Sequence, residues 1–220
     1  MIEESVQSIL DELSAGNCFG ENVTLVAATK TRTAEEINCA IQAGVTDIGE
    51  NRVQEFTAKY DEVHGAHRHF IGRLQTNKVK YLIGKTYLIH SVDRTELADT
   101  ISRLSQKAGV VTDILLEVNL GEESKGGYPL AEAFSAYEKL RDTAGLRIRG
   151  FMAMLPLNAT EAESAKLCDK MRALYDKART TDENIQYLSM GMSSDWKLCL
   201  NHGANMIRLG TSIFGERNCK

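Results

Sequence analysis

From Val23 onward, short apolar runs rich in β-branched residues alternate with longer segments whose apolar positions repeat at helical spacing. The short runs lie at 25–30 (LVAATK), 45–51 (VTDIGEN), 68–74 (RHFIGRL) and 87–93 (YLIHSVD). Four more follow at 113–120 (DILLEVNL), 147–154 (RIRGFMAM), 185–193 (IQYLSMGMS) and 206–210 (MIRLG). Between them, Thr33 with Glu36 has the form of a capping box opening a helix through Ile37, Ala40 and Ile41. Asp93 with Glu96 predicts a second such start, with Leu97, Ile101, Leu104 and Ala108 on one face and Gly109 as its stop. Leu167, Met171, Leu174, Tyr175 and Ala178 mark the longest amphipathic helix. One more helix, over residues 2 to 15, precedes the first run and is expected to cover one end or side of the body.

Eight strands, each followed by a helix, predict an α/β chain folded as a closed (β/α)8 TIM barrel rather than an open doubly wound sheet. The 220 residues suffice for a single barrel domain, 1–220, and two prolines leave little from which to build a linker.

Composition narrows the class of partner. A net charge of −4, with no long run of one sign, speaks against a nucleic-acid surface, and a small ligand is expected. Five cysteines (Cys18, Cys39, Cys168, Cys199, Cys219) with no C-x-x-C pair fit neither a disulfide framework nor a zinc knuckle, so a reducing cytoplasm is expected. Glu3, Glu4, Asp11 and Glu12 interrupt the N-terminal apolar positions, unlike a signal peptide, and no run approaches the ~18 apolar residues of a membrane span.

In such a barrel the reactive face is the carboxyl end of the strands, so the residues that end the apolar runs matter most. Lys30 ends the first run, Glu50 and Asn51 the second, Arg73 and Gln75 the third, Ser91 and Asp93 the fourth. Asn119, Met154, then Ser189 with Ser193, and finally Arg208 before Gly210 and Thr211 end the others. A lysine following Leu25–Ala28 places its stem among barrel side chains and its amine at the mouth. Desolvation there makes an amine a better Schiff-base nucleophile, although a rim lysine that snorkels into water reads the same way. The loops 190–195 and 210–212 carry the glycines, the hydroxyls of Ser193 and Thr211, and helix starts near Ser194 and Thr211 with which barrels bind phosphate; ordinary N-capped turns use the same residues. Arg208, between Ile207 and Leu209, either pairs with a carboxylate such as Glu117 or Glu50 or faces a ligand's ring nitrogen.

His64, His67 and His69 lie in the segment entering the third strand, on the wrong face and without an acidic partner at matching spacing, so no metal site is expected. Lys125-Gly126-Gly127 lacks the nucleotide phosphate-loop pattern, Trp196 is expected to pack the short helix after strand seven, and Met152, Met154, Met190 and Met192 fit core filling.

Taken together, AATKTR (27–32), DIGENRVQE (47–55), HFIGRLQTNK (69–78), IHSVD (89–93), VNLGEESKGG (118–127), GFMAMLP (150–156), LSMGMSSDW (188–196) and IRLGTSIFGER (207–217) resemble the pyridoxal phosphate homeostasis protein family, the YggS/PROSC group, over nearly the whole chain. The resemblance implies a fold like the N-terminal barrel of alanine racemase, fold type III among pyridoxal phosphate proteins. It implies the cofactor pyridoxal 5'-phosphate (PLP) as an internal aldimine on Lys30, with Ser193, Gly210 and Thr211 holding the phosphate. Arg208 would face the pyridine nitrogen, and Asn51, Met154, Ser189 and Met190 would line the ring and phosphate. An arginine opposite that nitrogen leaves it unprotonated and weakens the ring as an electron sink. The racemases' second base comes from a further C-terminal β-domain, and this chain, ending at Lys220, is expected to lack one.

The leading expectation is a PLP carrier or buffer in vitamin B6 homeostasis without turnover, monomeric, binding PLP and related vitamers and delivering them to PLP-dependent apoenzymes. The competing readings are a small racemase-like enzyme acting on amino acids through Lys30, and a class I aldolase-like barrel in which Lys30 attacks a sugar phosphate. The aldolase reading gives Arg208 no role.

Overall fold

The eight apolar runs become strands, most of them shorter than the run, and a ninth joins them: β1 (Thr24–Ala28), β2 (Asp47–Glu50), β3 (His67–Phe70), β4 (Leu88–Val92), β5 (Thr112–Asn119), β6 (Tyr128–Pro129), β7 (Leu146–Ala153), β8 (Tyr187–Ser189) and β9 (Met206–Leu209). In this computed structural model residues 1–122 and 125–216 are described; Glu123, Ser124, Arg217 and Cys219 lie outside them. All pairings are parallel, and β4 against β5 closes the ring β1-β2-β3-β4-β5-β7-β8-β9. The (β/α)8 barrel expected from the sequence is therefore the fold. The two-residue β6, which no apolar run announced, hangs on β5 at Val118 and Asn119 outside the ring.

The connections carry α1 (Ile2–Leu13), α2 (Ala34–Gln42), α3 (Val53–Ala58), a 3-10 helix (Thr76–Tyr81), α4 (Thr95–Ala108), α5 (Leu130–Leu140), α6 (Glu161–Arg179), α7 (Trp196–Asn201) and α8 (Thr211–Phe214). The four residues of α8 are too few to cover the outer faces of β1 and β9. Val6, Ile9 and Leu13 of α1 fill that place, packing with Leu25, Ile37, Ile207 and Phe214. The N-terminal helix thus covers a side of the barrel, not an end.

Alternation along the strands separates two apolar regions. Ile89, Leu116, Phe151 and Leu188 pack with the helices, while Val26, Leu88, Leu115, Met152 and Met206 form the cluster inside the ring. The alternation slips in β4, between Ile89 and Val92, and again in β7. Ile114 pairs with Ile148 but Leu115 with Gly150, which leaves Arg149 as an extra residue. Gly150 has φ +143°, and a Cβ there would lie 1.9 Å from the Tyr187 carbonyl oxygen.

Thr33 and Glu36 form the expected capping box of α2, and Gly109 closes α4 in the left-handed region. The box expected at Asp93 and Glu96 is absent. Arg94 is the N-cap of α4, where its guanidinium has no acceptor to offer, and the Asp93 carboxylate one position earlier is paired with that guanidinium. Thr33→Ala is expected to cost about 1 kcal/mol, read as a lower urea midpoint at unchanged slope. Trp196 is buried at the start of α7 as expected, and Cys168 and Cys199 are unbridged core thiols with their Sγ atoms 3.9 Å apart. Among the described residues no helix is long and apolar enough to cross a membrane.

Candidate functional site

A cleft of about 310 Å³ opens at the carboxyl end of the barrel. Lys30 beyond β1, Asn51 beyond β2 and Met154 beyond β7 line it, and Ser193, Arg208, Gly210 and Thr211 line it from β8 and β9. Seven of the nine residues singled out from the sequence therefore share one cavity. Met192 and Ser194, of the loop expected to hold phosphate, also line it, as do Arg32 and Ile71, which sequence reading did not single out. Arg32 was the most legible of these, since it stands two positions after Lys30 in the same motif.

Lys30 is half-buried and its two neighbours are fixed from the helix side. Thr29 donates its hydroxyl to Glu50 Oε1 at 2.7 Å, and Lys59 Nζ donates to the same oxygen at 2.8 Å and to the Thr29 carbonyl at 3.2 Å. Thr31 adopts φ 64°, a region costly for a β-branched residue, while its N–H donates to Glu55 Oε2 at 2.7 Å. A strained residue held by a carboxylate next to the lysine sets the direction in which the chain leaves β1. Arg32 then donates to the Gly215 carbonyl at 2.7 Å and ties this turn to the end of α8.

The two loops expected to hold phosphate meet across the cleft, where the Ser212 N–H donates to Ser193 Oγ at 3.3 Å. Gly191, at φ +101°, accepts the Arg208 N–H at 3.0 Å, and a Cβ there would lie 2.9 Å from Trp196 Cα. Asp195 Oδ1 accepts the Met192 N–H at 2.6 Å, so backbone and side chain together shape the turn before α7.

Arg208 is buried, and neither carboxylate offered as its partner pairs with it. It donates to the Ser189 carbonyl at 2.9 Å, to Ser189 Oγ at 2.7 Å and to the Ala153 carbonyl at 3.2 Å. Glu50 is taken by Lys59. Burial, with the Asp93 carboxylate nearby, pushes the Glu117 carboxyl up to about 7 against the pull of Arg208, Arg73 and Lys125. Burial pushes Arg208 itself down, yet a guanidinium stays protonated at working pH. The described residues lining the cleft thus include three cationic side chains, Lys30, Arg32 and Arg208, and no carboxylate. Asn51 presents a buried amide oxygen without a hydrogen-bond partner.

Two of the residues expected to line the ring are placed otherwise. Ser189 is buried beneath the cleft as the partner of Arg208, and the Met190 side chain packs in the main core with the helices. Period-two alternation accounts for both, since Ser189 points into the barrel and its successor points out. The histidine reading also needs correction. His67 and His69 belong to β3, and they do have an acidic partner, Asp47 of β2, at 3.2 and 2.9 Å. Strand pairing supplied a carboxylate that spacing along the chain could not reveal. Among the described residues no group of three or more His, Cys, Asp or Glu side chains is placed to hold a metal.

Comparison with known proteins agrees with this geometry. Residues 15–218 match the family model of the alanine racemase N-terminal domain. A pyridoxal phosphate homeostasis protein of Aquifex aeolicus is 41% identical over 90% of this chain and 89% of its own length. The structure of PipY from Synechococcus elongatus with PLP bound superposes at a TM-score of 0.87 with 33% identity, covering 98% of this chain and 100% of PipY. Alanine racemase of Clostridium difficile, 13% identical, superposes at 0.80 over 99% of this chain and 56% of its own, a likeness of fold alone. The chain belongs to the alanine racemase N-terminal domain family and, within it, to the pyridoxal phosphate homeostasis proteins.

Proposed function

We propose that this chain binds pyridoxal 5'-phosphate in the carboxyl-end cleft, reversibly linked to Lys30, and serves the cell as a carrier or buffer of that cofactor rather than as an enzyme. The observation that carries the reading is the charge of the cleft: among the described lining residues, two guanidiniums and no carboxylate accompany one half-buried lysine, in a chain whose net charge is −4. A small anion with a group that reacts with an amine fits those walls. When bound, PLP supplies an aldehyde that condenses with an amine, a C–N bond forming as water leaves, together with a phosphate dianion.

The residues have separable tasks. Ser193, Gly210 and Thr211 bring hydroxyls and backbone N–H groups to the phosphate end, where glycine permits close approach. Arg208 donates to an unprotonated ring nitrogen, Asn51 offers its unpartnered oxygen to a donor on the ligand, and Met154 and Ile71 exclude water from one wall. The relatives' names point to homeostasis, and PipY was solved with PLP bound. PLP-dependent apoenzymes are the proposed recipients, related B6 vitamers the proposed alternative ligands, and a cytoplasmic monomer the proposed form.

Titration of purified protein with PLP, followed by visible absorbance, is expected to give a stoichiometric yellow complex that borohydride reduction traps on the peptide containing Lys30. A colourless mixture at saturating cofactor would discard the reading. Racemisation or decarboxylation of an amino acid clearly above the rate of free PLP would replace the carrier with the racemase-like enzyme.

A further inference from the structure

A file of buried polar side chains runs through the barrel interior from the cleft toward the amino-terminal ends of the strands. Ser189 Oγ, which accepts from Arg208 at 2.7 Å, lies 3.2 Å from His90 Nδ1. His90 Nε2 lies 2.8 Å from His69 Nδ1, and His69 Nε2 lies 2.9 Å from Asp47 Oδ1. No member is more than 6% exposed, and of the five only Arg208 lines the cleft. The surrounding interior is apolar, with Leu88, Leu115, Met152 and Met206 within it.

One end dictates the direction of every bond. Asp47 Oδ2 already accepts from Thr46 Oγ1 at 2.7 Å, and Oδ1 faces both His67 and His69, so this carboxylate tolerates only donors. His69 Nε2 must therefore carry a hydrogen. Burial holds both histidines below their usual pKa and so neutral, His90 well below, and a neutral ring with one hydrogen must accept at its other nitrogen. His69 Nδ1 then accepts from His90 Nε2–H, and His90 Nδ1 accepts from the Ser189 hydroxyl. The serine oxygen is left with its lone pairs toward Arg208. Each donor in such a chain polarises the next, so the remote carboxylate strengthens Ser189 Oγ as an acceptor.

We propose that Asp47, His69 and His90 are positioning residues for the cofactor. Asp47 orders a one-way hydrogen-bond chain through His69, His90 and Ser189 that holds Arg208 by its barrel-side N–H groups and aims the rest of its fork into the cleft. The role rests on the reading of Arg208 as the partner of the ring nitrogen. A polar core that only stabilises the barrel would use the same residues. The two are separable, because none of the residues that bring hydroxyls and N–H groups to the phosphate end, Ser193, Gly210 and Thr211, is a member of the file.

The test has two parts. In the full-length chain labelled with 15N-histidine, without cofactor, two rings are expected to show a protonated Nε2 and a bare Nδ1, unchanged between about pH 7 and 8. A protonated Nδ1 at either ring, or titration of either ring in that range, overturns the one-way chain. In Asp47→Asn the amide removes the bias, and both tautomers are expected at His69 and His90. His90→Phe, similar in size, cuts the chain and serves if Asp47→Asn fails to fold. In either variant PLP affinity, by absorbance titration, is expected to fall on the order of tenfold, while inorganic phosphate competes as it does in wild type. Equal loss for PLP and inorganic phosphate, or no loss for PLP, overturns the positioning role. Wild-type protein that binds no PLP overturns the cofactor reading and this role with it, while the nitrogen shifts still report the order of the chain.

Discussion

Lys30→Ala is expected to abolish the visible band of the PLP complex and to leave nothing for borohydride to trap, while the barrel still folds. The first half follows from the cleft, where Lys30 is the single lysine among the described lining residues, with Arg32 and Arg208 as its cationic companions. A guanidinium remains protonated and does not condense with an aldehyde at neutral pH. The second half follows from the local structure. The turn around Lys30 is fixed by its neighbours, through the Thr29 hydroxyl on Glu50 and the Thr31 N–H on Glu55, and neither bond passes through the lysine side chain. Removing the half-buried lysine stem therefore leaves the strand end in place. Non-covalent binding survives, weaker by tenfold or more, each tenfold being about 1.4 kcal/mol. Equilibrium dialysis with inorganic phosphate as competitor measures what remains. A variant that still forms a borohydride-stable adduct would move the attachment point to another lysine and with it the meaning of the cleft.

How far this site could be read from sequence depends on which residues need strand phase to be placed. Lys30, Asn51, Ser193, Gly210 and Thr211 end or follow apolar runs, and the end of a run is visible in one dimension. Arg208 was visible for a related reason, as a charge inside an apolar strand. Glu117 was offered only as a partner of Arg208, and Ser189 as a lining of the ring rather than a support beneath the cleft, because inward or outward direction depends on the register of the neighbouring strands. The Gly150 bulge shows the difficulty: without the extra Arg149, strict alternation from Ile148 would send Met152 and Met154 to the helix side, yet Met152 lies inside the barrel and Met154 lines the cleft. The file from Asp47 to Ser189 draws on β2, β3, β4 and β8, so no window of sequence contains it. The short β6 and the unused capping pattern at Asp93 are smaller cases of the same kind, in which a tertiary partner decided what local preference left open.

Glu117→Gln is expected to stabilise the chain by about 3 kcal/mol at pH 8 and to remove most of the fall in stability that wild type shows between pH 5 and 8. Glu117 lies on β5 with its neighbour Leu115 in the interior cluster, and it is 8% exposed. Burial, helped by Asp93, raises its carboxyl from the ordinary 4.5 to about 7 despite Arg208, Arg73 and Lys125. Between those two values the folded chain keeps a proton that the unfolded chain has lost. Stability from this group is therefore full below pH 4.5 and is lost as pH rises through 7. At about 1.36 kcal/mol per pH unit the interval amounts to about 3 kcal/mol. Glutamine has the shape of the protonated acid and no charge to desolvate, so urea unfolding at a series of pH values should give the variant a nearly flat profile. A parallel fall in both proteins would assign the pH dependence elsewhere. A reason for a protonated glutamate at this position follows from Arg208. An ionised carboxylate so near would compete for the guanidinium and draw it from the cleft, whereas a neutral one leaves the positive charge to the ligand. Removing the titration while keeping the neutral shape should thus preserve PLP binding at pH 6, where wild-type Glu117 is itself mostly protonated, and improve it above pH 7.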